Sequence, residues 1–459
     1  MSKLTPQIIA GVTGGRYVGN DSDRNNPVTG AVRDNRDVKK GNLFICIRGE
    51  RVDGHTFAIS AFDAGAACCL AEEEIPDVKG PYVIVDSTLM SLRTLSEYYR
   101  GLFDIPVVGI TGSVGKTTAK EIIAAVLSSK LNVLKTEMNL NNEIGVPLTL
   151  LSITEQHEAA VIEMGIRDFG DMAILAQMVR PDIFVMTKIG YSHILELGDL
   201  QGVLRAKTEA FAYMKQSGVA VLNGDDELLY GYDPKMRKII FGLEEYNDVR
   251  AVSVRSEGID FVEFDIIGEK ASFHVKLPAY GSHLAALAPA AVVVGHLLGL
   301  TDEEIQKGFL SYAPVEGRSN VSKINGITLI DDCYNANPNS VKAAVTSMSS
   351  LPGRHVAILG DMLNLGEHSD SMHSEVGAFA AQSGIDRLLC CGDQAKFIFD
   401  GFVGSDDKRE TQVAHYYPSM QELIGEIPAQ IKKDDVILVK ASRGMEFERL
   451  LPVIIETLD

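Results

Sequence analysis

The stretch "VVGITGSVGKTTAKEIIAAVL" (107 to 127) constrains the fold of this chain more than any other. Its β-branched apolar start reads as a buried strand, its glycines as a tight turn, and the periodic apolar residues after Lys116 as a helix. A glycine-rich turn in that setting aims backbone N–H groups at an anion, and the helix N-terminus adds partial positive charge. Lys116 then reaches outer phosphates, and the Thr117 hydroxyl is suited to Mg²⁺. The strict pattern has glycine six residues before the lysine, where this chain has Ile110. The rest of the order is kept. Thr111, Gly112, Ser113, Val114, Gly115, Lys116, Thr117 and Thr118 therefore read as an ATP-binding loop.

Further apolar runs follow the same rhythm. "AAVIEMG" (159 to 165), "IFVMTKIG" (183 to 190) and "VAVLNGD" (219 to 225) read as strands separated by helices. Such alternation predicts a parallel, doubly wound sheet. Residues 250 to 280 read as short antiparallel strands, and 281 to 311 as helical. A later set, "ITLIDD" (327 to 332), "HVAILGD" (355 to 361), "RLLCCGD" (387 to 393) and "DVILVKAS" (435 to 442), predicts a second parallel sheet. Before residue 100, "NLFICIRG", "ACCLAE" and "YVIVD" mark a smaller α/β unit. The expected architecture is α/β in three domains: a small α/β N-terminal domain (1–104), a central P-loop parallel-sheet ATPase domain (105–313) and a C-terminal Rossmann-like domain (314–459). In open α/β sheets, ligands gather at the carboxyl ends of strands.

Composition removes several classes of function. The 459 residues carry a net charge of −19, which argues against nucleic acid as main partner, since phosphate backbones need clustered Lys and Arg. The start shows no signal-peptide core, and no stretch is long and apolar enough to span a membrane. The nearest, "LAALAPAAVVVGHLLGL" (284 to 300), carries Pro289 and His296 and reads as a buried helix. Six cysteines, two pairs of them adjacent at 68/69 and 390/391, suit neither a disulfide framework nor a zinc site and read as small core residues. The expectation is a cytoplasmic protein, and no "NKxD" base-reading segment marks it as a GTPase.

Seven motifs in order narrow the chemistry: "TGSVGKTT", "KTEMNLNNEIGVPLTLL", "IEMG", "IGYSHILELGDLQGVLRAKTE", "DDCYNANPNS", "LGDMLNLGEHSDSMH" and "KASRGMEFER". Together they resemble the Mur ligases, the amide-forming enzymes of peptidoglycan precursor synthesis, which serve cell-wall biogenesis, cell shape and division. The "NLNNEIGVPLTLL" and "DDCYNANPNS" segments are similar to the branch that joins D-alanyl-D-alanine to UDP-N-acetylmuramoyl-tripeptide. That resemblance implies ATP, Mg²⁺ at two sites, these two substrates and a monomeric enzyme. Amide formation from a carboxylate requires its activation, here to an acyl phosphate, and crowds negative charge at the terminal phosphate of ATP.

The resemblance also implies roles for single residues. Lys116, Glu163, His193, Lys207 and Arg318 form the catalytic set. Thr117, Glu163, His193 and Lys207 hold metal, Lys207 as a carbamate. Carbon dioxide adds only to a neutral amine, so the site must lower the lysine pKa. Asn139, Asn141 and Asn142 face substrate or metal-bound water. Arg318, beside the third domain, reaches the terminal phosphate. Of Asp331 and Asp332 one contacts the ribose, with Asp332 favoured. Asn335 and His283 adjoin the nucleotide, and Asn337, Ser442 and Arg443 the substrate cleft. In the first domain, "VRDNRDVKKGNLFICIRGERVDGHTF" (32 to 57) is similar to the family's uridine-nucleotide site, with Asn35 where the family has serine and with Arg36 and Arg48 toward the diphosphate. One departure stands out. The family places asparagines where this chain has Leu284 and Leu287, and leucine cannot hydrogen-bond a base edge. Hinges near 100–106 and 312–318 are expected to move on binding.

Overall fold

The computed structural model describes residue 1, residues 3–49 and residues 52–457, with the backbone alone at Glu257. Glu50 and Arg51 of the 32–57 segment thus lie outside the described residues. By internal contacts the chain forms two compact units. One comprises Met1–Thr111, Leu131–Phe184 and Thr208–Val219; the other comprises Gly112–Lys130, Val185–Lys207 and the chain from Ala220 onward.

The described residues make three sheets. The first, in the first unit, runs Arg16–Val18, Tyr82–Ile84, Cys68–Ala71, Asn42–Ile45, Gly30–Val32. Its edge strand Arg16–Val18 is antiparallel, and the rest are parallel. The second sheet has nine strands. Within the first unit, Val107–Thr111 and Val133–Lys135 flank Ala159–Glu163, all parallel. All five residues of Val107–Thr111 are buried, as the continuous apolar run demands of a central parallel strand. Within the second unit, Arg237–Gly242 runs parallel to Val249–Glu257, and antiparallel strands Phe261–Gly268 and Ala271–Leu277 follow. The antiparallel stretch expected at 250 to 280 is present; the parallel partner at 237–242 was not foreseen.

The third sheet lies in the second unit, in the order Asn320–Ile324, Ile327–Asp331, Asp435–Lys440, Arg354–Gly360, Arg387–Cys391, Val413–Tyr417. Only Asn320–Ile324 is antiparallel. Alternate residues face opposite sides. Ile330, Ala357, Leu359, Leu388 and Cys390 join one core with helices Pro338–Ser349 and Ser369–Gln382. Leu329, Val356, Ile358, Leu389 and Cys391 join another with helices Met420–Gln430 and Leu450–Thr457. This alternation explains the adjacent cysteines: neighbours in a strand point to opposite faces. All six cysteines are free and buried, as expected. The 284–300 segment contains helix Ala288–Leu297, buried from Ala288 to Gly295, with Pro289 in its first turn, where a missing N–H costs nothing. Among the described residues no helix is long and apolar enough to cross a membrane.

Candidate active site

The turn after Val107–Thr111 has the shape its glycines predict. Thr111 ends the strand buried, its hydroxyl donating to the Met164 carbonyl at 2.8 Å. Gly112 has φ +151°, and a Cβ there would fall 2.0 Å from Thr187 Oγ1, so no larger residue fits. The Ser113 N–H donates to the Lys188 carbonyl at 2.7 Å. Its hydroxyl donates to the Gly190 carbonyl at 3.0 Å and accepts from the Gly190 N–H at 2.9 Å. Thr187 donates to the Val114 carbonyl at 2.6 Å. Residues 187–190 thus hold the turn open from outside. Gly115, at φ +84°, starts helix Lys116–Ser128, and Lys116 curls back over the loop, Nζ to Gly112 carbonyl 2.8 Å. Thr117 is buried and Thr118 half-buried on the same first turn.

In the first unit, Glu163 ends its strand and is 1% exposed. Asn141 donates its side-chain amide to Glu163 Oε1 at 2.8 Å, and its carbonyl accepts the Gly165 N–H at 2.8 Å. The three asparagines divide their work. Asn139 is exposed, with its carbonyl taking the Asn141 N–H at 2.8 Å. Asn142 Oδ1 accepts from Gly145 N–H at 2.9 Å, at the start of helix Gly145–Leu150.

In the second unit, His193 sits half-buried at φ +58°, capping the short helix Ile194–Leu197. Lys207 lies in helix Leu200–Thr208 and is 2% exposed. Burial, and then the charge of Lys116, push its pKa well below the usual lysine value. Among the described residues its amine has neither a hydrogen bond nor a carboxylate partner.

The carboxyl ends of the third sheet gather the remaining candidates. Asp332 is clamped: Oδ2 accepts from Lys440 Nζ at 2.6 Å and Oδ1 from the Ser319 N–H at 3.1 Å. Lys440 also donates to the Asn335 carbonyl at 3.0 Å. The sequence reading passed over Lys440, although a lysine closing an apolar strand is a readable signal. Asp331 accepts from the N–H and thiol of Cys333. Asn335 is exposed, with its side chain turned to the Ala336 N–H at 2.9 Å. His283 is half-buried, Nδ1 3.4 Å from Ser347 Oγ, and burial lowers its pKa. Leu284 and Leu287 are buried, and Leu287 Cδ1 would lie 3.1 Å from a Cβ on Gly115. The Arg318 guanidinium stacks 4.3 Å from the centroid of Tyr334 and has no side-chain hydrogen bond or ion pair among the described residues.

Two of the residues expected at the substrate cleft, Asn337 and Ser442, make local hydrogen bonds. The Asn337 side chain is an N-cap, reciprocating with Ser340 in a capping box over helix Pro338–Ser349. The Ser442 hydroxyl is buried between the Leu363 N–H at 2.9 Å and the Ala336 carbonyl at 3.3 Å. Arg443 is exposed and paired with Glu448 at 2.9 Å. In the first sheet, Asn35 donates to Ser60 Oγ at 3.1 Å, and Arg36 forks onto Asp34, holding that carboxyl down at about 2. Arg48 bonds Asp53 at 2.9 Å and faces Glu72 and Glu73 at 3.6 and 3.4 Å. Three carboxylates thus surround its charge. Arg36 and Lys39 line a cavity of about 590 Å³ with Thr29, Asn42, Leu151 and Thr154.

These features define a P-loop α/β protein with strand-end polar residues on two parallel sheets. Matches to known proteins extend that class along the chain. Residues 27–98 match the model of the Mur ligase family catalytic domain, 110–295 the Mur ligase middle domain, and 317–443 the glutamate ligase domain of Mur ligases. A Bacillus subtilis UDP-N-acetylmuramoyl-tripeptide–D-alanyl-D-alanine ligase is 35% identical over 462 aligned positions, covering 100% of this chain and 99% of the relative. The Escherichia coli ligase of the same name is 34% identical, covering 91% and 92%. Among solved structures, MurF from Acinetobacter baumannii aligns with TM-score 0.87 at 29% identity, covering 98% of both chains. MurF from Thermotoga maritima in complex with ADP aligns at 0.82 and 29%, covering 96% of this chain and 99% of the other. The chain belongs to the Mur ligase family, and its three sheets match that family's three-domain fold.

Proposed function

We propose that this chain is an ATP-dependent ligase joining D-alanyl-D-alanine to UDP-N-acetylmuramoyl-tripeptide through an acyl phosphate, with release of ADP and phosphate. The observation that carries this reading is its 35% identity, end to end, with a relative of that name. The phosphate loop adds independent support, and the ADP in the Thermotoga maritima structure agrees with it.

On this reading residues 1–104 take the UDP-linked peptide, 105–313 take ATP, and 314–459 complete the reaction. The loop from Thr111 to Thr118 cradles the phosphates. Lys116 leaves the Gly112 carbonyl for the outer phosphates, where it offsets charge as the peptide carboxylate attacks. Arg318 does the same from the third domain, its guanidinium making no hydrogen bond among the described residues. The Lys440–Asp332 clamp shapes the ribose wall, with Asn335 and His283 alongside. Leu284 and Leu287 offer the base no hydrogen bond. Asn35 and Arg36 serve the uridine nucleotide beside the Lys39-lined cavity, and Arg443 serves the substrate cleft.

Donors that would suit Mg²⁺ are the Glu163 carboxylate in the first unit and, in the second, the Thr117 hydroxyl, the His193 imidazole and Lys207 as a carbamate. Bound there, Mg²⁺ supplies charge neutralisation at the phosphates. Carbamate formation needs an amine whose charged form is disfavoured, and burial and the Lys116 charge both lower the pKa of Lys207. Asn141 orients Glu163. The enzyme works in the cytoplasm as a monomer.

The test is amine selectivity. Purified chain with ATP, Mg²⁺ and UDP-N-acetylmuramoyl-tripeptide is offered D-alanyl-D-alanine, glutamate or single amino acids. Phosphate release with D-alanyl-D-alanine alone supports the reading; release with another amine would assign a different branch of the family.

A further inference from the structure

Tyr334 carries no assigned task, yet two arginines converge on its ring. The Arg318 guanidinium lies 4.3 Å from the ring centroid and that of Arg443 5.7 Å. Arg443 is balanced by Glu448 at 2.9 Å. Arg318 has no such balance among the described residues.

The backbone fixes this stack. The Tyr334 N–H donates to the Gly317 carbonyl at 3.0 Å, one residue before Arg318, and the Ser319 N–H donates to Asp332 at 3.1 Å, one residue after it. Gly317, at φ +71°, lies so close that a Cβ would be 3.3 Å from Tyr334 Cβ. Residues 317–319 are therefore laid flat along 332–334, with Arg318 over the ring. A guanidinium stacked on an aromatic face spends no N–H: its donors lie in its own plane and stay available to an anion. A free arginine on a loop must instead lose its rotamer freedom when it binds. The Tyr334 hydroxyl makes no hydrogen bond among the described residues, so the ring itself is the working part.

We infer that Tyr334 is a positioning residue: its ring pre-orients Arg318, so that the guanidinium edge meets the terminal phosphate of ATP. This rests on the ATP-dependent ligase reading.

The test is calorimetric binding of a non-hydrolysable ATP analogue and of ADP to the full chain. Tyr334→Phe, Tyr334→Leu, Tyr334→Met and Arg318→Ala are compared, with the Tyr334→Leu/Arg318→Ala double variant and a thermal melt of each. Loss of the ring should weaken the analogue by about two- to fivefold, the range of an exposed cation–π contact. ADP affinity should stay unchanged, and Tyr334→Phe should match the parent. Tyr334→Leu should add nothing once Arg318 is alanine. A Phe variant as weak as Leu, equal losses for ADP and analogue, or a full Leu effect without Arg318 would each overturn the platform role. A parent chain that binds neither nucleotide would instead remove the ATP reading, and this role with it.

Discussion

Asn141 donates to Glu163 at 2.8 Å, and Glu163 is 99% removed from solvent. An amide that donates to a buried carboxylate sets its rotamer, and with it the direction in which the carboxylate faces a cation. Asn141→Ala should therefore cost about 10- to 100-fold in activity at limiting Mg²⁺, the usual penalty for a lost orienting partner. Asn141→Asp should be worse, because it sets a second carboxylate against the first. Mg²⁺ titration of the phosphate-release rate reads both. An Asn141→Ala variant with unchanged Mg²⁺ dependence would disconnect this pair from the metal.

Lys207 makes a prediction with opposite signs for stability and turnover. A buried ammonium with no partner is costly, and here its pKa is lowered by burial and by Lys116. A lowered amine pKa means the unfolded chain binds more protons than the folded one between the two pKa values. Stability thus rises with pH through that window, and the full cost is present below the folded pKa. Lys207→Met, which removes the charge and keeps the volume, should raise the melting temperature near neutral pH and flatten its rise with pH. Turnover should be abolished, and in the parent it should fall when dissolved carbon dioxide is stripped out. Melting curves from pH 6 to 10 and a bicarbonate titration check the two halves.

Gly112 tests the loop geometry. A methyl there would stand 2.0 Å from Thr187 Oγ1, at φ +151°. Gly112→Ala should abolish nucleotide binding while leaving a folded chain. Adding Thr187→Ala should recover part of the affinity, because the hydroxyl that clashes is gone while the backbone strain remains. Equal affinity for parent and Gly112→Ala would contradict the loop as described.

Far from the site, Arg354 forks onto Asp435, Nε at 2.8 Å and Nη2 at 2.6 Å, with Asp435 fully buried. Arg354→Leu strands a buried carboxylate and should cost about 3 kcal/mol of stability. Urea unfolding measures it.

Much of this architecture was legible in the residues. Strands buried on both faces write themselves as unbroken apolar runs, so Val107–Thr111, Ala159–Glu163 and Asp435–Lys440 stood out, and the glycine turn announced its own function. Edge strands did not. Val413–Tyr417 is largely half-exposed and reads "VAHYY", Asn320–Ile324 alternates with polar residues, and Arg16–Val18 is three residues long. Such strands carry too few apolar positions to signal themselves. At the site, the family resemblance marked Glu163 with its partner Asn141, Lys207 with Lys116, and Arg318, but not the Tyr334 ring beneath Arg318. That Asn337 caps a helix, that Ser442 closes a loop and that Arg48 sits among three carboxylates depend on partners distant in sequence or on turn geometry. Lys440 closes an apolar strand and was readable on that ground, whereas a single tyrosine such as Tyr334 has no periodicity to betray it.

The proposed reaction makes an amide at the expense of ATP. The most direct measurement is phosphate release from ATP and Mg²⁺ with UDP-N-acetylmuramoyl-tripeptide, with and without D-alanyl-D-alanine, followed by the mass of the product. Release should require both substrates, and the product should be heavier than the tripeptide nucleotide by the dipeptide less one water. Release that ignores the dipeptide, or a nucleotide of unchanged mass, would contradict it.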